Sequence, residues 1–134
     1  MQASSMTIRT ASASDLDAIA ALEAVCFPAA EAASRASLAG RLAVYAGHFW
    51  LLEADGRLVS YIGGPVTATD QLTDDLYDDP ACHDEHAPWQ MIFSVVTHPD
   101  HRGQGCAAHL MRRVISDCKA AGRFLHARDE GLRV

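Results

Sequence analysis

A proline, an arginine and two glycines separate an apolar strand from an amphipathic helix between residues 89 and 121. The run WQMIFSVVT (Trp89–Thr97) is almost continuously apolar, which predicts a central strand buried on both faces. Helix formers follow the glycines as far as Ala121, and Gly122 is a natural C-terminal stop. One face of this predicted helix is apolar, with Leu110, Met111, Val114, Ile115 and Cys118. The stretch therefore predicts a strand, a tight loop and a helix that packs on the strand.

Gly103 and Gly105 stand directly before this helix. A helix start has unpaired N–H groups and the positive end of the helix dipole. Glycine has no Cβ, so an anion can approach the backbone closely. The pattern predicts a phosphate-binding helix start, although a glycine turn without a ligand is the alternative on these two residues alone. No Gly-Lys-Ser/Thr follows and the third glycine of GxGxxG is missing, which excludes both nucleotide fingerprints.

The remaining elements predict an α/β fold with a mixed sheet. A first strand is expected at 7–11, followed by a helix with apolar positions at 16, 19, 22 and 26 that ends at Pro28. A second helix is expected around Leu38, Leu42 and Tyr45. A hairpin then turns at Asp55-Gly56, with strands at 49–53 and 58–66 and a distortion at Gly63-Gly64-Pro65. A last strand is expected at 123–130.

Composition narrows the function classes. The chain of 134 residues suits a single domain (1–134), and its net charge of −6 argues against a nucleic-acid partner. No apolar run approaches the roughly 20 residues of a membrane helix, and the start has no secretory h-region, so no membrane partner and a cytoplasmic location are expected. The four cysteines show no CxxC pair or metal-ligand spacing, so no metal is expected, and Cys26 and Cys118 are interpreted as small core residues.

FSVVTHPDHRGQGCAAHLMRRVI (residues 93–115) resembles the signature of the GNAT N-acetyltransferase superfamily. In that signature an apolar strand and a proline precede Arg/Gln-x-x-Gly-x-Gly/Ala at the start of an amphipathic helix. The order of the other elements also fits, and the resemblance covers about residues 7–129. It implies a GNAT-like mixed central sheet flanked by helices. The segments EAVCFPAAEAAS and WQMIFSVVTHPDHRGQGCAAHLM are most similar to the bacterial branch related to arylalkylamine N-acetyltransferases.

The resemblance implies an acetyl-CoA-dependent transfer of an acetyl group to a small primary amine by direct attack. In the family, coenzyme A binds to backbone amides of the glycine loop and of the central strand. A splay between that strand and the next one, here 124–127, admits the pantetheine arm. Carried over to this sequence, the cofactor-binding residues are Val95, Val96, Thr97, Arg102, Gly103, Gln104, Gly105, Cys106 and Ala107.

The sequence departs from the family pattern in three respects. The family's further helix and two strands are not matched, so the fold is expected to be C-terminally shortened. The family's catalytic tyrosine is not matched either, because Tyr45, Tyr61 and Tyr77 all precede the glycine loop. Met91 and Phe93 stand where some relatives have catalytic histidines. A non-catalytic acyl-CoA-binding or dimerisation module is therefore the alternative, and a homodimer through the last strand is expected.

The acidic stretch from residue 67 to 88 supplies the predicted catalytic base. His83 is the best single candidate because histidine titrates near neutrality. A solvated loop without a catalytic role is the alternative interpretation of the same residues.

Overall fold

The computed structural model describes residues 6–69, 71 and 79–127. Their order of elements confirms the predicted α/β fold with mixed sheets flanked by helices. The strands are β1 (Met6–Thr10), β2 (Phe49–Ala54), β3 (Arg57–Gly63), β4 (Val66–Thr67), β5 (Trp89–Ile92), β6 (Ser94–Thr97) and β7 (Phe124–Ala127). The helices are α1 (Leu16–Cys26), α2 (Arg35–Tyr45) and α3 (Cys106–Ala121).

Local sequence signals explain where these elements begin and end. Ser34 caps α2 by accepting a hydrogen bond from Ser37 N at 3.1 Å. Gly122 ends α3 in the left-handed region with φ of 71°. The β2–β3 turn places Asp55 at φ 52° and Gly56 at φ 80°, which is the geometry that an Asp-Gly hairpin turn needs. The predicted hairpin is therefore confirmed.

The central strand differs from its prediction. It was expected to be continuous from Trp89 to Thr97, but it breaks at Phe93 into β5 and β6. β6 is the edge of a sheet with order β1-β2-β3-β6, and β5 lies in a second sheet with order β4-β5-β7. Backbone bonds from Phe93 N to Gly63 O and from Met91 N to Pro65 O, both 2.9 Å, join the two sheets at the break.

The break has a matching irregularity on the neighbouring strand. The predicted distortion at Gly63-Gly64-Pro65 separates β3 from β4. A Cβ on Gly64 would lie 2.1 Å from Met91 O, so only glycine permits this close backbone approach. The two paired strands therefore change direction together.

Apolar side chains cover both faces of the β3–β6 sheet. α3 packs on one face through Leu110, Val114 and Cys118. α1 and α2 pack on the other face, through Ile19, Leu22, Leu38 and Leu42. Cys118 is buried as expected, whereas Cys26 at the end of α1 is only half-buried. No helix in the described ranges is long and apolar enough to cross a membrane.

Candidate active site

The break at Phe93 leaves the edge of β6 that faces away from β3 open in the described part of the chain, and we call the space beside this edge the wedge. β7 runs parallel to β5, and the pairing extends from Trp89↔Phe124 to Ile92↔Ala127. β6 then turns towards β3 and pairs with it alone, so its other edge has no strand partner within residues 6–69, 71 and 79–127. No described strand therefore covers the outer backbone edge of β6.

Two amide groups of β6 face this wedge. His98 N donates to Val59 O at 2.8 Å, which makes this opposed pair a hydrogen-bonded one. Because the hydrogen-bonding side alternates along an antiparallel strand, Val96 also directs its backbone groups towards β3. The backbone groups of Val95 and Thr97 then point the other way. They form a short ladder that an extended ligand can pair with.

The glycine loop lies at the end of this ladder. Gly103 and Gly105 have φ of 78° and 77°, and a Cβ on either would meet nothing within 4 Å. Gly105 is the N-cap of α3 and no side chain caps the helix. The first N–H groups of α3 therefore face open space at the positive end of the helix dipole. This arrangement fits an anionic group such as a pyrophosphate.

The side chains around the loop leave its backbone accessible. Arg102 Nε donates to Thr97 O at 3.2 Å, so its side chain lies over the end of β6. Cys26 Sγ donates to the same carbonyl oxygen at 3.3 Å. The Cys106 side chain is buried, and burial raises the pKa of its thiol. A thiol in this state is a poor nucleophile.

A buried acid lies on the α1 side of the sheet, one strand away from β6. Glu23 of α1 is 4% exposed and Tyr61 of β3 is fully buried. Tyr61 Oη donates to Glu23 Oε1 at 2.6 Å. Burial, and then the Glu23 carboxylate, raise the pKa of Tyr61 well above 10. Tyr61 is therefore a protonated hydroxyl that donates to a carboxylate.

The structure does not bring His83 to the predicted cofactor-binding residues. His83 Nδ1 accepts a hydrogen bond from Val66 N at 2.9 Å, and Val66 pairs with Gln90. Val66 and Gln90 lie in the sheet on the other side of the break at Phe93 from Val95 and β6. Burial also lowers the pKa of His83 from 6.5. The geometry gives no support to His83 as the base for a reaction beside β6.

Both ring nitrogens of His83 are already engaged. Since Nδ1 accepts from Val66 N, the proton is on Nε2, which contacts Glu85 Oε1 at 2.9 Å. His48 Nε2 also contacts Glu85, at 2.9 Å from each carboxylate oxygen. Burial acts to raise the pKa of Glu85, but hydrogen bonds from His48 and His83 outweigh it and lower that pKa from 4.5 to about 2. Glu85 is thus an ionised anchor for its loop.

The same three side chains have the composition of a metal site. Ligand atoms of His48, His83 and Glu85 all lie within 4.8 Å of one another. Coordination through His83 Nε2 would move its proton to Nδ1, which faces the N–H of Val66. Arg123 Nη2 also lies 3.3 Å from Glu85 Oε2 and supplies positive charge. The arrangement therefore favours an ion-pair cluster over a metal centre.

Comparison with known proteins places this geometry in a family. The model of the acetyltransferase (GNAT) family matches residues 16–133. The chain belongs to the GNAT family. No curated protein matches it in sequence.

Solved structures with the GNAT fold resemble the chain closely in backbone. The loading GNATL domain of CurA from Lyngbya majuscula has a TM-score of 0.81 at 19% identity, covering 92% of this chain and 64% of that one. The GphF GNAT-like decarboxylase in complex with isobutyryl-CoA has a TM-score of 0.73 at 29% identity, with coverage of 82% and 57%. The aminoglycoside N-acetyltransferase AAC(6')-Iy in complex with CoA has a TM-score of 0.69 at 15% identity, with coverage of 95% and 78%. This chain therefore spans less than two thirds of the length of the first two.

The sequence prediction did not include the buried acid of this GNAT domain. Glu23 lies four residues after Ile19 and one residue after Leu22, on the apolar face of α1. Arg41 lies three residues after Leu38 on the buried face of α2 and is 7% exposed. A charged residue within an apolar helical face was the available signal, because such residues are rarely buried without a partner.

Proposed function

We propose that the chain is an acetyl-CoA-dependent N-acetyltransferase that acts on a small primary amine. The open edge of β6, which leads to the glycine loop, carries this proposal. An extended arm that carries amide groups suits the open edge of β6, and a pyrophosphate suits the glycine loop. Membership of the GNAT family and the CoA-containing relatives support coenzyme A as the ligand.

Each predicted cofactor-binding residue receives a role in this proposal. Val95 pairs with the pantetheine arm through its wedge-facing N–H and C=O, and Thr97 through its N–H, since Thr97 O already accepts from Arg102 and Cys26. Val96 contributes only packing, since its backbone faces β3 and its side chain is buried. The amides of residues 103–107 hold the pyrophosphate, and Arg102, which is exposed, adds positive charge beside it.

The acyl transfer proposed here is direct. The neutral amine attacks the thioester carbonyl, the C–S bond breaks and the thiolate is protonated. Positioning by β6 and hydrogen bonding from the Val95 N–H to the developing oxyanion supply the catalysis. The resemblance to the arylalkylamine branch makes arylalkylamines the first acceptors to test. His83 is proposed to act indirectly, by holding residues 83–85 against β4.

Decarboxylation of an acyl-CoA is a second candidate. The likeness to the GphF GNAT-like decarboxylase, at 29% identity, favours it. A non-catalytic acyl-CoA-binding or dimerisation module is the third candidate, and the same experiment separates all three.

We also propose that residues 1–134 belong to one GNAT-like domain that forms a homodimer. The exposed Phe124 on β7 supports the dimer. The four free cysteines support a reducing compartment such as the cytoplasm.

The test is a turnover assay with the purified chain. Acetyl-CoA is mixed with a panel of primary amines, thiol release is followed, and the acetylated amine is identified by mass spectrometry. We expect amine-dependent thiol release above the rate of hydrolysis without amine. Conversion of malonyl-CoA to acetyl-CoA without thiol release would instead establish the decarboxylase. Calorimetric CoA binding with neither reaction would establish the binding module.

A further inference from the structure

Three hydroxyl and carboxyl groups lie on one face of the sheet beside the break at Phe93. Tyr61 and Val96 are directly opposed and both face α1 and α2. Ser94 is two residues before Val96, so its side chain points to the same face. Glu23 projects from α1 onto Tyr61. Ser94, Tyr61 and Glu23 therefore form a short polar row between the sheet and α1.

The hydrogen bonds of this row have a direction. Tyr61 Oη donates to Glu23 Oε1 at 2.6 Å. The Ser94 hydroxyl lies on the same face of the sheet as Tyr61 and acts to lower the pKa of Tyr61. Because the Tyr61 proton points to the carboxylate, the phenol oxygen is left to accept a hydrogen bond from the Ser94 hydroxyl. A proton that arrives at Ser94 can reach Glu23 by two short transfers.

Burial determines where such a proton can enter. Tyr61 and Glu23 are sealed from solvent, whereas Ser94 is half-buried. Ser94 also directly precedes Val95, whose N–H faces the wedge. The half-buried end of the row therefore lies beside the position expected for the thioester. A carboxylate held at 4% exposure is destabilising unless well paired, and here it accepts from Tyr61 while the buried Arg41 approaches Tyr61 from α2.

We propose that Ser94, Tyr61 and Glu23 form a proton relay that deprotonates the attacking amine. This relay rests on the proposed N-acetyl transfer. The amine proton passes to Ser94 Oγ, the Ser94 proton passes to Tyr61 Oη, and the Tyr61 proton passes to Glu23 Oε1. The C–N bond forms and the C–S bond breaks. The protonated carboxyl then returns its proton along the same row to the leaving thiolate, so the enzyme ends unchanged.

Other charged groups face this row and are part of its pH response. Arg41 approaches Tyr61 from α2 and acts to lower the pKa of Tyr61. Cys26 lies near Glu23 on α1, and burial chiefly raises the pKa of its thiol. Arg102 opposes that effect from the glycine loop.

The test compares Glu23→Gln, Tyr61→Phe and Ser94→Ala with the control Glu53→Gln, which changes a carboxylate on β2 that contacts Arg9. Each relay variant is expected to lower kcat about 100-fold with an unchanged KM for acetyl-CoA. The losses should not add in the double variant Glu23→Gln/Tyr61→Phe, because one interrupted relay cannot be interrupted twice. Ser94→Thr keeps the hydroxyl and should restore most of the activity lost in Ser94→Ala.

The pH profile separates a relay from a structural role. In Glu23→Gln the rate should follow the fraction of free amine, so the deficit shrinks as pH rises. If the wild-type chain turns over and the folded Glu23→Gln and Ser94→Ala variants keep its kcat, the relay is overturned. The acetyltransferase proposal is then left intact. CoA binding without wild-type turnover on any amine would overturn both. The relay would also be overturned if each variant lost the same fraction of kcat at every pH and the size of that loss followed the variant's loss of thermal stability.

Discussion

Gly105 combines a positive φ with an open environment at the start of α3. We expect Gly105→Val to weaken CoA binding at least tenfold, because a branched side chain would cover the amides and distort the loop. Gly122→Val is the matched control. It has φ of 71° and open surroundings at the other end of the same helix. Both variants should lose at least about 1–2 kcal/mol of stability. Calorimetry that finds equal CoA affinity in both folded proteins would contradict the binding site.

At this scale the sequence predicted the backbone features better than the buried polar ones. Glycines before a helix indicate a conformation that other residues avoid, so the loop could be located from the sequence. The pairing of Glu23 with Tyr61 joins two residues 38 positions apart in the chain, and its chemistry depends on how α1 packs on β3. The choice of His83 as base failed to find support for a related reason. Histidine titrates near neutrality in general, but here Val66 N occupies its lone pair.

Among the elements, the segment before β5 depends on the ionisation of Glu85. Its pKa is lowered to about 2 in the folded chain, so it contributes stability above about pH 4.5 that is lost as pH falls towards 2. Because the side chain is 56% exposed, the contribution is about 1 kcal/mol after screening. Urea unfolding should show that the free energy of unfolding falls less between pH 6 and pH 3 in Glu85→Gln than in wild type. Glu31→Gln, at an exposed carboxylate, should match wild type, and an unchanged acid loss in Glu85→Gln would refute the anchor.

The break between β5 and β6 shows what element-level prediction misses. An apolar run that is buried on both faces has no alternation, so an inserted residue changes no visible pattern. The sequence signal for the break is Gly63-Gly64-Pro65 on the neighbouring strand, which predicts a distortion of that strand but not of its partner. The close approach of Gly64 to Met91 O connects the two irregularities. The wedge that carries the proposed function arises from this connection.

For the whole molecule, the order of elements was sufficient to predict the architecture. Short connections and one glycine-initiated crossover helix leave few arrangements in which α1 and α2 cover one face and α3 the other. The parallel pairing of β5 with β7 follows from the same crossover. Assembly and substrate do not follow from this reasoning, because both depend on surface chemistry that the fold leaves free.

The outer edge of β7 is where assembly can be tested. Phe124 is 62% exposed and lies against Trp89, with ring centroids 5.0 Å apart. Among the residues that the structure describes, β7 ends the sheet β4-β5-β7, and an edge strand of this kind favours pairing with another chain. We expect sedimentation equilibrium at micromolar concentration to give a dimer, and Phe124→Lys to shift it to monomer. Val44→Lys places the same charge at an exposed apolar position on α2 and should leave the dimer intact. A wild-type chain that sediments as a stable monomer would exclude this interface.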